Sequence, residues 1–213
     1  MPEDVDLDIS KFEETVKANS SSAEAHASLG SLYSMGGRYQ DAVREHKKAM
    51  ELKPDSARYH FSLGQALYKV GDVNGAIKEL HEALKIDPQY IDALFHLGLI
   101  LEKQGRLDEA IEQYRAAIAI EPAMAPAYHR LGMCLSKKGD RKDAITTIRK
   151  AVDMDADFGT YHYDLGLLYL KVGQSDAAIK EFQETIRLEI FYPEARRGIK
   201  LAQEQKAAKM QDR

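Results

Sequence analysis

Apolar side chains recur along most of the chain at three- and four-residue intervals, in runs that glycine or proline interrupts. Between Asp92 and Pro122, Leu94, Leu97, Ile100 and Leu101 share one face of a predicted helix. Ala110, Ile111, Tyr114, Ala117 and Ile118 share one face of a second. Gly105 stands between them, where a left-handed residue can end the first helix. Pro122 closes the second, because its ring cannot continue the hydrogen-bond ladder. A turn this short folds the two helices into an antiparallel pair.

The same pattern returns every 34 residues. Leu-Gly stands at Leu29-Gly30, Leu63-Gly64, Leu97-Gly98, Leu131-Gly132 and Leu165-Gly166. A second glycine keeps the beat at Gly37, Gly71, Gly105, Gly139 and Gly173, and an alanine does so at Ala42, Ala76, Ala110, Ala144 and Ala178. Three columns in one register define five copies, 23–56, 57–90, 91–124, 125–158 and 159–192, flanked by residues 1–22 and 193–213. One helical pair cannot bury its apolar face alone, whereas stacked copies bury a continuous core. Gly98, inside a helix, carries a penalty of about 1 kcal/mol relative to alanine. A closely approaching second helix explains it, with Ala110 and Ala117 as the matching surface.

The 34-residue pattern resembles the tetratricopeptide repeat family. The Leu-Gly and alanine slots of that family are filled in all five copies. Its tyrosine slot holds Tyr33, Leu67, Leu101, Leu135 and Tyr169, and its later aromatic slot holds His46, Leu80, Tyr114, Ile148 and Phe182. Pro54, Pro88 and Pro122 close three copies, with Ala156 and Ile190 where the other prolines would stand. The leading bulky slot holds His26, His60, Leu94, Tyr128 and His162, never Trp. The resemblance covers 23–192. It implies an all-α, right-handed superhelical solenoid of antiparallel helix pairs, five repeats plus a helix at each end. It implies also a non-catalytic module whose first helices line a concave groove for a peptide or partner helix.

That implication selects the candidate binding residues column by column. The first column runs Ala27, Phe61, Phe95, His129, Tyr163; the second, Ser28, Ser62, His96, Arg130, Asp164; the third, Ser31, Gln65, Leu99, Met133, Leu167. Lys69, Lys103, Lys137 and Lys171 edge the groove. Such a surface suits a protein or peptide with apolar anchors and acidic groups. Lysine in the last turn of a helix also favours the helix dipole without any ligand, so the ladder has a purely structural reading. Leu99, Met133 and Leu167 are the more telling column, because apolar side chains on an open face call for a partner. Chaperone co-receptors of this family grip a terminal carboxylate with a lysine, asparagine and arginine set. Ser28 and Ser62 stand at the asparagine positions, which argues against that function, while Arg130 leaves anion binding open.

At the amino end, Leu7, Ile9, Phe12 and Val16 fall at helical spacing, like the second helix of a repeat without its first. A cap on the first repeat is expected; the alternative is a self-assembling scaffold in which residues 1–22 dock another copy, as in bacterial proteins of this family that coat organelles. At the other end, 193–213 lack Leu-Gly and carry Arg196, Arg197, Lys200, Lys206 and Lys209, as a solvating helix would.

Charge and chemistry narrow the classes further. The formal net charge of −4 gives no basic excess for nucleic acid. No apolar run approaches the roughly 18 residues that span a bilayer, and the acidic start, Met1 to Ser10, is no signal peptide. Cys134 is the single cysteine, so a cysteine-based zinc cluster is excluded. A cytoplasmic protein is the expectation. Cys134 shares a column with Leu32, Ala66, Ile100 and Leu168 and is expected to be a buried, inert thiol. Asp157-Phe158-Gly159 spells a kinase magnesium motif without its companion motifs and falls at a repeat junction. Asp72, Asn74 and Gly75 lack calcium-loop spacing, and Asp72 reads instead as a helix start. His26, His60 and His162 occupy a packing slot; His96 and His129 lack the further ligands a metal needs. No cofactor and no catalytic constellation is expected.

Overall fold

In the computed structural model, residues 2–189 and 191–211 are described, with the side chains of 2–7 left aside. The expectations on Ile190 and on the Leu7 side chain therefore lie outside the described residues. The described residues form twelve helices: α1 (Pro2–Ala18), α2 (Ala23–Met35), α3 (Tyr39–Leu52), α4 (Ala57–Lys69), α5 (Val73–Ile86), α6 (Ile91–Lys103), α7 (Leu107–Ile120), α8 (Ala125–Lys138), α9 (Arg141–Met154), α10 (Gly159–Lys171), α11 (Ser175–Leu188) and α12 (Pro193–Gln211). The first helices of successive pairs begin at Ala23, Ala57, Ile91, Ala125 and Gly159, and α12 begins on the same beat at Pro193. Gly37, Gly71, Gly105, Gly139 and Gly173 all have positive φ, so the glycine column ends each first helix as the sequence implies. At the starts, Ser22 accepts the amide of Ala25 at 3.1 Å and Asp72 that of Gly75 at 2.9 Å.

The chain divides into two compact units, Met1–Ile100 and Leu101–Arg213. In the first, α2 packs on α3, α4 on α5 and α3 on α4, and α1 packs on α2. Ile9 is buried among Leu29, Tyr33 and Ala42, with Phe12 and Val16 against the same cluster. The Tyr33 hydroxyl donates to Glu13 at 2.6 Å, and burial first, then that carboxylate, pushes the phenol up to about 12. The described outward positions of α1, Asp8, Ser10, Lys11 and Glu14, are polar and exposed.

In the second unit, α8 packs on α9, α10 on α11, α7 on α8, α9 on α10 and α11 on α12. The alanine column is at full burial at Ala110, Ala144 and Ala178. A Cβ on Gly132 would lie 2.4 Å from Ile148 Cγ1, and one on Gly166 would lie 2.8 Å from the Phe182 ring. Gly132 and Gly166 of the Leu-Gly column thus mark close helix approach. Helix α12 buries Ala195, Gly198 and Ala202, while Lys206 pairs with Asp176 and Ser175 donates to Gln205 at 2.7 Å.

Candidate binding surface

Each unit carries its own share of the candidate surface. In the first, the faces of α4 and α6 meet through the Gln65 and His96 side chains, 3.0 Å apart. His96 Nδ1 lies 2.9 Å from the Asp92 carbonyl, so Nδ1–H donates there and Nε2 accepts from the Gln65 amide. Phe61 is 9% exposed, edge-on to Tyr90 at 5.1 Å and to His96 at 5.3 Å. Expected to be an open aromatic shelf, Phe61 is instead covered by the residue that leads into α6. Phe95, His96 and Leu99 are half-buried, and Lys69 is exposed, 6.0 Å from the Tyr39 ring.

In the second unit, His129 is 7% exposed and its Nε2 lies 2.7 Å from Asp164. Tyr161 packs on His129 at 4.7 Å, and Phe158 packs on Tyr161 at 4.5 Å. His129 is therefore a buried strut between α8 and α10, not an open contact. Tyr163, half-buried, is overlain by Tyr192 at 4.8 Å. Beside these, Met133 and Leu167 are half-buried, and Arg130, Lys103, Lys137 and Lys171 are exposed.

The lysine ladder is not uniform. Glu102, at the end of α6, is buried, accepts from Lys137 at 2.7 Å and from the Tyr114 hydroxyl at 3.1 Å, and lies 3.9 Å from Arg130. Lys137 thus compensates a buried carboxylate. Burial, then Glu102, pushes the Tyr114 hydroxyl far up, and burial pushes the Cys134 thiol up to about 12, which keeps it protonated and unreactive. Glu102 did not emerge from the sequence reading. Its signal is that it is the one acid in the column Ser34, Tyr68, Glu102, Ser136, Leu170, one repeat ahead of Lys137.

The junction residues also escaped notice. Tyr90 covers Phe61, and Tyr192 covers Tyr163, each 29 residues on. Where the first column is small, at Ala27, the corresponding junction residue is Ser56. The remaining chemistry is spare. Among the described residues no group of three or more His, Cys, Asp or Glu side chains could hold a metal ion, and no helix is long and apolar enough to cross a membrane.

Comparison with known proteins agrees with this architecture. Tetratricopeptide repeat models match residues 61–125, 101–162 and 159–189, and a TPR repeat model matches 32–71. A solved structure of MamA is 31% identical over 72% of this chain and 90% of that one, with a TM-score of 0.68. MamA 41-end from Desulfovibrio magneticus RS-1 is 25% identical over 78% of this chain and 94% of that one, with a TM-score of 0.74. YrrB, described as a TPR protein with an unusual peptide-binding site, has a TM-score of 0.71 at 19% identity, over 92% of this chain and 97% of that one, and supports the fold alone. No curated protein matches the chain. The chain belongs to the tetratricopeptide repeat family, whose members are in general non-catalytic modules for protein interaction or scaffolding.

Proposed function

We propose that this protein is a non-catalytic adaptor that holds a peptide or partner helix on the face formed by its first helices. The observation that carries the reading is the half-buried pair Met133 and Leu167 on the first helices of the second unit, with Leu99 half-buried in the first unit's own share. A helix in a folded protein normally turns such side chains into the core, and apolar side chains left at a polar surface favour a partner's apolar anchors. Arg130 and Lys171, exposed beside that pair in the second unit, favour acidic groups on the partner. Lys103 extends the basic edge of the second unit, where Lys137 belongs to it only in part, since Glu102 already holds it; Lys69 is the exposed lysine of the first unit's share. Phe61 and His129 act from beneath, by fixing the helices that present the surface. Tyr163, Phe95 and His96 offer their half-exposed edges.

The proposed setting is the cytoplasm, with a protein partner and no nucleic acid. The experiment is partner capture with Leu99→Glu combined with Met133→Glu. Capture lost at unchanged helical content supports the reading. Capture that survives both changes sinks it.

A further inference from the structure

Three of the seven histidines share one geometry. In the first unit, His26 Nδ1 lies 2.7 Å from Glu45 and its Nε2 lies 3.2 Å from the Ser20 carbonyl. His60 repeats this, with Glu79 at 2.7 Å and the Pro54 carbonyl at 3.0 Å. In the second unit, His162 stands 2.7 Å from Glu181 and 3.0 Å from the Ala156 carbonyl. All three rings are buried. Each therefore joins its own first helix to the second helix of the same pair, and to the turn that precedes it.

A carbonyl oxygen only accepts, and so does an ionised carboxylate. A neutral imidazole has one N–H, which satisfies one of these two neighbours and sets a lone pair against the other. Two donors are needed, and the imidazolium supplies them. The sequence columns agree. Where the histidine slot holds Leu94 or Tyr128, the glutamate slot holds Gln113 or Thr147. Glutamate accompanies the histidine in all three copies that have it and in neither that lacks it.

We infer that His26, His60 and His162 are buried imidazolium–glutamate clamps, and that the second N–H of each ring is what holds α2, α4 and α10 on their partner helices. Loss of one proton leaves two acceptors facing at hydrogen-bond distance inside the core, a cost that buried polar groups carry in full.

The neighbouring charges are compatible with a charged ring. Arg44 lies 3.5 Å from the second oxygen of Glu45. His46, next to Glu45, is neutral, since burial pushes it down to about 4. His60 has Glu82 nearby, which Lys85 holds at 2.6 Å. His162 borders an open cleft of about 540 Å³ whose charged lining includes Arg149, Asp153, Lys180 and Glu184, two of each sign.

Glutamine separates the charge from the shape. Its amide can donate to Nδ1, so Glu79→Gln leaves a neutral ring with both nitrogens satisfied. The experiment is imidazole nitrogen NMR of the full chain near pH 7, with Glu45→Gln, Glu79→Gln and Glu181→Gln made singly for assignment. Three rings protonated on both nitrogens, each turning neutral in its own variant, is the expected result. Rings that are neutral in the natural chain overturn the inference, as does a ring that stays protonated on both nitrogens in its own variant.

Discussion

Lys137 Nζ lies 2.7 Å from Glu102, with half of the lysine side chain in solvent and the carboxylate side chain 7% exposed. The exposed end of a groove lysine therefore answers a carboxylate that is out of water. Removing it leaves Glu102 with the Tyr114 hydroxyl and the more distant Arg130 alone. Lys137→Met should cost about 1–3 kcal/mol. Lys171→Met, on an exposed residue with no ion pair among the described residues, should stay within about 0.5 kcal/mol. Urea unfolding of the two variants separates a structural lysine from a solvated one.

Close helix approach sets a second prediction. Gly132 leaves 2.4 Å between an added Cβ and Ile148 Cγ1, with the Ala144 carbonyl at 3.1 Å. Ile148 is fully buried and has little room to give. Gly132→Ala should destabilise by about 1–3 kcal/mol, despite alanine's better helix propensity. Combining it with Ile148→Val should recover part of that loss, read as a shift in melting temperature.

His46 carries the third. Its ring is buried with Nδ1 unpartnered, and a Cβ added at Gly30 would lie 2.8 Å from it. Burial lowers its imidazole from 6.5 to about 4. The unfolded chain takes up a proton below about 6.5 that the folded chain refuses, so stability present above that pH is lost as pH falls toward 4. The full effect is on the order of 3 kcal/mol. His46→Leu, which copies Leu80 in the next repeat, should raise stability at pH 7 by about 1 kcal/mol and flatten the acid limb of the pH profile. Thermal melts from pH 4 to 7 check both.

The helices were legible in the sequence because glycine, alanine and Leu-Gly keep one beat, and each of those residues answers a backbone demand. The binding surface was less so. Phe61 and His129 sit in the same column as Tyr163, yet their exposure depends on Tyr90 and Tyr161, which lie 29 and 32 residues further on. Column position fixes the direction of a side chain, while its cover comes from a residue almost a full repeat away. Glu102 was hidden for a related reason. A lone acid at a helix end reads as surface until the lysine of the following repeat is brought against it.

Helix α1 turns Ile9, Phe12 and Val16 inward and polar residues outward, which is the arrangement of a cap. The full chain should elute as a monomer at all concentrations in size exclusion with light scattering. Association that rises with concentration and is lost on Phe12→Ser would point instead to a scaffold built through this helix.

The central claim is that the face carrying Met133 and Leu167 binds a partner. Its most direct test is selection of displayed peptides on the full chain, followed by affinity measurement on the natural protein and on Met133→Glu with Leu167→Glu. The account predicts selected peptides with apolar anchors and acidic flanks, weakened at least about tenfold on the variant, a difference of about 1.4 kcal/mol, at unchanged helical content. Equal affinity for both proteins would contradict it.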